Sequence, residues 1–303
     1  MNPQSAKTSG VVYYLVVLML LIWGGNYIAA KMVFREIPAN LVICLRTMIA
    51  GLLIIPIYWV EARKRPPVLT WAEFRLLATL GLGGITVNQV FWTLGMSRTT
   101  VVHSSMIMAT TPLWVLLIAA LMGMEKITVF KATGMGIAMT GVVLLQGLRA
   151  RGSATTSNAE ATLLGDFYVL ICALALAGMT AWGKRYKPLS GGIAVNLVGY
   201  VGGAIVLSPL LPFAANGFVF SKVSTTAWLC LLYMGAMSSV AGYLIYLYAL
   251  ARMPASRIAT FQYLQPVFAS GLAVLLLNEH LGAGALAAGA VIFTGVFITE
   301  RFG

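Results

Sequence analysis

Charge is scarce in this chain. Only 9 % of its 303 residues are Asp, Glu, Lys or Arg, against roughly 25 % in an ordinary soluble domain. Acidic residues number just 8. So few charges leave no means of covering a water-exposed surface, which excludes a soluble enzyme and a disordered chain alike. Cysteine is scarce as well. Cys44, Cys172 and Cys230 lie far apart inside apolar runs, and an odd count so spaced makes neither a disulfide framework nor a metal site. They read as small apolar core residues. The histidines and aspartates are His103, His280 and Asp166 alone. No convergent acid, base, nucleophile or metal set can be drawn from them, so no catalysis, metal or cofactor is expected. A phosphate-binding glycine loop with its lysine is also missing, which argues against ATP as a direct drive.

Apolar residues are what the chain has. Hydrophobic residues make up 60 % of it, glycines number 31 and the mean hydropathy is +0.90. That is the composition of an integral membrane protein whose helices pack through small residues. A net charge of +12 would point to nucleic acid in a soluble chain. In a membrane chain it reads as loop Lys and Arg that set orientation, so the partner is the lipid bilayer and no nucleic acid is expected.

A helix needs about 20 apolar residues to cross the hydrocarbon core. Ten runs qualify: 11–34, 40–60, 76–96, 99–122, 129–148, 164–183, 192–211, 227–250, 257–278 and 283–299. The first is too long for a signal peptide and reads as a retained helix. The stretch from Arg149 to Thr162, rich in Ser, Thr, Ala and Asn, reads as a linker. With both termini cytoplasmic, 13 Lys and Arg fall inside and 6 outside, with Arg46 within a span. This bias places both termini on the inner side.

The chain also matches itself. Shifted by 154 residues, Gly81 falls on Gly235, Arg98 on Arg252, Pro112 on Pro266 and Glu125 on Glu279. Thr140-Gly141-Val142 falls on Thr294-Gly295-Val296 at the same offset. The reading is a first five-helix repeat over 1–148, a linker over 149–163 and a second repeat over 164–303. Five is odd, so the second repeat enters the bilayer inverted. Inverted repeats are a recurring transporter plan, with the substrate site near the midplane at their interface. The expected fold class is an all-α integral membrane protein of ten transmembrane helices in two inverted five-helix repeats.

Several features together resemble the EamA-type family of the drug/metabolite transporter superfamily. They are the early stretch LIWGGNYIAAK, Arg46 in helix 2, the repeated Pro-x12-Glu of helices 4 and 9, and the glycine-rich helices 5 and 10. Within that family the chain is most similar to the YddG-type aromatic amino-acid exporters. The resemblance implies a multi-pass carrier of the bacterial inner membrane. It would export amino acids, aromatic and other small neutral ones, through a cavity lined chiefly by helices 3, 4, 8 and 9 with parts of 1 and 6. The alternative is an exporter of other small metabolites or drugs by proton antiport.

Polar side chains inside spans ask for a partner or a watery cavity. Pro112 and Pro266 sit mid-span and free the carbonyls of Met108 and Gln262, so they read as hinges or merely as helix-shaping residues. Thr110, Thr111, Gln262 and Gln265 are the polar groups nearest that crossing. Asn88 and Trp92 share a helical face, with Gln89 beside them. Helix 8 adds Ser238, Ser239, Tyr243 and Tyr246. Helix 1 adds Trp23, Asn26 and Tyr27, and Trp182 of helix 6 lies near a helix end. Trp92 and Tyr246 read equally as members of an interfacial aromatic belt. Arg46 reads as structural, held by backbone carbonyls, or as a partner for a substrate carboxylate. His103 opens helix 4 and either reaches water or lines the mouth of the cavity. Glu125 and Glu279 end their helices and are expected to cap a following helix or to pair with a nearby Lys or Arg. No acid lies mid-span, which favours a facilitative carrier over a proton-coupled one, working as a monomer or in an oligomer of unknown size. The expected lining is of amides, hydroxyls and dipoles in place of fixed ions.

Overall fold

The structure is a computed structural model that describes residues 10–64, 70–99, 101–152, 163–268 and 283–303. The described residues form ten helices: α1 (Gly10–Val33), α2 (Ala39–Lys64), α3 (71–96), α4 (101–121), α5 (Val129–Gly152), α6 (Leu163–Tyr186), α7 (Gly191–Ala215), α8 (Thr225–Arg252), α9 (255–268) and α10 (Ala283–Phe302). Six stretches are long and apolar enough to span a membrane by those measures alone. The protein is an all-α, ten-helix membrane fold. The expected spans match these helices to within a few residues, except that the end of the ninth run, with Glu279 and His280, lies outside the described residues.

Polar contacts between connections fit ten alternating passes. Near the chain termini, the Tyr13 hydroxyl donates to Glu300 at 2.6 Å, and Glu300 pairs with Arg257 at 2.9 Å. The Ser190 amide, between α6 and α7, donates to Glu73 of α3 at 2.8 Å. Glu125, between α4 and α5, accepts the Ser256 amide at 3.1 Å and the Ser256 hydroxyl, and Lys131 lies 2.8 Å away. Glu125 therefore caps the start of α9 and pairs with a lysine. The other face holds Thr99 on Asp166 at 2.5 Å, and the Ser224 amide and hydroxyl on Glu36 at 2.6 and 2.7 Å.

Packing repeats as the sequence does. Helix α3 lies against α6 and α7, and its counterpart α8 lies against α1 and α2. The pairs α2 with α7, α4 with α9 and α5 with α10 are their own counterparts, and the last is the closest of all. Repeated glycines make these approaches possible. A Cβ on Gly81 would stand 2.6 Å from the Gly199 amide nitrogen, and one on Gly235 would stand 2.6 Å from the Ile49 side chain. A Cβ on Gly141 would meet the Ile292 amide nitrogen at 2.8 Å. Without a hydrophobic drive in lipid, such close backbone approach supplies the van der Waals contact that joins helices.

The helix irregularities repeat too. A π segment occupies Thr79–Thr86 of α3, and another occupies Met234–Ala241 of α8. In each, a hydroxyl donates five residues back, Thr86 to the Gly81 carbonyl at 3.5 Å and Ser239 to Met234 at 2.9 Å. Helix α4 is interrupted at residues 109–110 just before Pro112, and α9 tightens to a 3-10 turn at Gln262–Leu264 just before Pro266. The helix irregularity thus falls where proline removes an amide donor. On the outside, aliphatic residues such as Leu52, Ile55 and Ile205 face lipid, while Trp59 and Trp71 stand exposed near helix ends, as interfacial anchors do.

Candidate functional site

One cavity lies where the irregular segments of both halves meet. Seven helices line it: Trp23, Asn26 and Tyr27 from α1, Arg46 from α2, Asn88, Gln89 and Trp92 from α3, Met108 from α4, Leu176 from α6, Ser238 and Tyr243 from α8, and Gln262 and Gln265 from α9. The space open to water-sized molecules is about 40 Å³. A water needs some ~10–15 Å³ by the same measure. In this conformation the cavity thus admits a few waters.

The aromatic rings fall into two groups. The Trp23 ring lies 5.5 Å from Tyr243 and 5.6 Å from Tyr246, and Tyr27 meets Trp92 edge-on at 5.5 Å. Trp92 is only 6 % exposed and Tyr246 is fully buried. The belt reading of these two is corrected: each faces the protein interior, and the Tyr246 hydroxyl is bonded to Thr180 at 2.5 Å. Trp23 donates its indole N–H to the Ser238 carbonyl at 3.2 Å, a buried partner that lets the ring sit deep.

The polar wall is a network with a few loose ends. Asn88 donates to the Cys172 carbonyl at 2.9 Å and accepts from the Tyr243 hydroxyl at 2.5 Å, tying α3 to α6 and α8. Gln89 donates to the Tyr200 hydroxyl at 3.1 Å, and Tyr200 in turn donates to the Ser239 carbonyl at 3.0 Å. Arg46 donates from Nε to the Ser239 hydroxyl at 2.9 Å and from Nη2 to the Ser238 hydroxyl at 3.2 Å. Its guanidinium carbon lies 5.4 Å from the centre of the Trp92 ring. Hydroxyls of the α8 π segment thus hold Arg46, in place of the expected backbone carbonyls. Arg46 also gives the lining a fixed ion. Among the described residues, Nη1 of Arg46, Oδ1 of Asn26 and Nε2 of Gln262 are buried without a hydrogen-bond partner.

Of the residues singled out from the sequence, Trp23, Asn26, Tyr27, Asn88, Gln89, Trp92, Tyr243, Gln262 and Gln265 come together here. Others do not. The Thr110 hydroxyl is used within its helix, donating to the Ile107 carbonyl at 2.7 Å and accepting from Trp114. Thr111 is buried away from the lining. Trp182 is 43 % exposed and stands in a separate groove with Glu73, Arg75 and Tyr186. The backbone of His103 belongs to α4, and its side chain lies outside the described residues. Pro112 and Pro266 adjoin the cavity through Met108 and Gln265. Sequence reasoning missed Met108, Leu176 and the part of α2 in the lining. Arg46 was the available signal, as the only charge well inside a span.

The comparisons agree with this architecture. A solved crystal structure of a protein superimposes with a TM-score of 0.74 at 18 % identity, covering 95 % of this chain and 96 % of that one, which shows the shared fold. An uncharacterized transporter of Archaeoglobus fulgidus is 26 % identical over 292 residues, 95 % of this chain and 96 % of that protein. A probable terminal-alkyne amino-acid exporter of Streptantibioticus cattleyicolor is 27 % identical over 232 residues, 76 % of this chain and 74 % of that protein. The model of the EamA-like transporter family matches twice, over residues 10–146 and 163–301. The protein is a membrane transporter and not an enzyme, and it belongs to the EamA-like transporter family.

Proposed function

We propose that the protein exports amino acids, aromatic and other small neutral ones, across the bacterial inner membrane by alternating access. One observation carries the reading: a cavity between the halves lined by aromatic rings interleaved with amides, hydroxyls and a guanidinium. An aromatic amino acid has an apolar ring and a polar head, and such a lining offers partners to both ends. The site relatives named above support the class, since one of them is named as a probable amino-acid exporter. The halves 1–148 and 164–303, joined by the 149–163 linker, exchange roles as the cavity opens to one side and then to the other. The kinks beside Pro112 and Pro266 and the π segments of α3 and α8 are where the helices bend.

Transport in this reading is facilitative, because the described lining residues include no carboxylate to relay protons. Both termini face the cytoplasm, following the Lys and Arg bias. A monomer suffices in this reading.

Flux in proteoliposomes tests the proposal. The purified protein is supplied with labelled tryptophan, phenylalanine or threonine, or with an uncharged drug, and no ion gradient is imposed. Saturable amino-acid flux with counterflow is expected. Flux that appears only under a proton gradient overturns the facilitative mechanism and turns attention to His103. Movement of the drug alone overturns the amino-acid assignment and leaves the family intact.

A further inference from the structure

Arg46 is 3 % exposed, and among the described residues no carboxylate pairs with it. Tyr200, Tyr243 and Cys172 are ionisable side chains that interact with it electrostatically. Two of its three nitrogens are used on Ser238 and Ser239, which fixes the plane of the guanidinium, and Nη1 is left without an acceptor. The guanidinium lines the cavity beside Trp92. Also on the lining, Asn26 presents an acceptor, Oδ1, with no donor, and it is 6 % exposed. A buried cation without an anion is costly, and a buried acceptor without a donor is costly too. Both deficits lie on one small cavity, and they have opposite sense.

We propose that Arg46 and Asn26 form a subsite for an α-amino acid head group. The substrate carboxylate takes Nη1 of Arg46, and the substrate ammonium takes Oδ1 of Asn26 with the faces of the neighbouring aromatic rings. The carboxylate supplies the counter-charge that the fold withholds, through a charge-assisted hydrogen bond. The ammonium gains the aromatic faces as well as the amide oxygen. The subsite rests on the transport reading given above and extends it, by making the carboxylate the obligatory part of the ligand. It excludes cationic drugs, which would meet the guanidinium at close range. It also couples binding to shape. The serines that hold Arg46 belong to the π segment of α8, so an anion drawing on Arg46 pulls on the segment that bends.

Two measurements on the full-length protein test this separately from the transport reading. In proteoliposomes, flux is compared for tryptophan, indole-3-acetate, tryptophanamide and tryptamine. The wild type should move tryptophan at least tenfold faster than tryptophanamide or tryptamine, with indole-3-acetate between them. Equal rates for tryptophan and its amide overturn the subsite. In Arg46→Gln the preference should vanish, and in Arg46→Lys it should survive in part. Asn26→Asp keeps the arginine and changes no volume, so it tests the site even if Arg46→Gln does not fold. Its carboxylate sets a negative charge on the same cavity, where it repels the substrate carboxylate and should abolish the preference, and an unchanged preference in folded Asn26→Asp overturns the proposal. In detergent, the unfolding temperature is followed with tryptophan or tryptophanamide present. Stabilisation by the carboxylate alone, lost in Asn26→Asp, supports the subsite. If no indole compound is transported but that stabilisation is present, the transport reading fails and the subsite stands. If no carboxylate-specific stabilisation appears, the subsite fails whatever the flux.

Discussion

Asn88 and Gln265 line the same cavity and are held differently. Asn88 donates to the Cys172 carbonyl and accepts from Tyr243, so it joins three helices. Gln265 is half-buried, and among the described residues its side chain has no hydrogen-bond partner. Replacing Asn88 by Ala strands the buried Tyr243 hydroxyl and removes a second bond from the Cys172 carbonyl. The cost should be about 1–2 kcal/mol, since hydrogen bonds in membrane interiors contribute less than a bare desolvation penalty implies. Thermal unfolding in detergent checks it, and an unchanged midpoint refutes it. Replacing Gln265 by Ala should leave that midpoint in place and slow amino-acid flux several-fold. Normal flux would remove Gln265 from the site.

At the scale of the helix, the π segments decide which side chains reach the cavity. The π segment Thr79–Thr86 precedes Asn88, Gln89 and Trp92 in α3. An added Cβ on Gly83 would meet nothing within 4 Å. Deleting Gly83 should therefore relax the segment to α-helix without creating a clash at that point. A π turn holds one residue more than the α turn it replaces, so the deletion leaves Asn88, Gln89 and Trp92 near their places and removes only the irregular turn. Transport should be slowed while the protein still inserts and purifies. Undiminished transport would show that the π geometry has no role. Helices α5 and α10 give a contrasting case. Their contact depends on glycine, and Gly141→Leu should cost about 1–3 kcal/mol by overpacking, read as a fall in unfolding temperature, with ligand preference unchanged.

For the whole molecule, the two halves are joined at both membrane faces by acid-to-serine contacts. Hydrogen bonds from the backbone and side chain of Ser224 hold the Glu36 carboxyl below its ordinary value of 4.5. Burial pushes the Glu125 carboxyl up, but the bonds from Lys131 and Ser256 outweigh it and leave the carboxyl lowered. A lowered carboxyl binds protons more weakly folded than unfolded. Its contribution is present above 4.5 and is lost as pH falls below that, through the folded value. Acid should therefore loosen both faces in the range under pH 4.5, and Glu125→Gln should flatten that part of the stability profile. An identical acid limb in the variant would exclude Glu125 as a contributor.

The class, the ten helices and the repeat follow from composition and from the 154-residue self-match, because a long apolar run can bond all its backbone groups in lipid only as a helix and repeats keep proline and glycine at their marks. The aromatic and amide lining was legible as well, since Asn88, Gln89, Trp92, Trp23 and Asn26 stand out against an apolar ground. The role of Arg46 was not. A lone arginine in a span is equally a carbonyl-bound strut, and only packing brings Ser238 and Ser239, 192 and 193 residues away, onto its two nitrogens. The same holds for Trp182 and Thr110, whose composition suits a site while their position does not. Which face of a helix turns inward depends on π segments and 3-10 turns, and each changes the rotation by a fraction of a turn. Hydrophobic periodicity is blind to such shifts in helices apolar on every side. Tertiary contact sets them, and with them which polar atoms are paired and which are left open to a ligand.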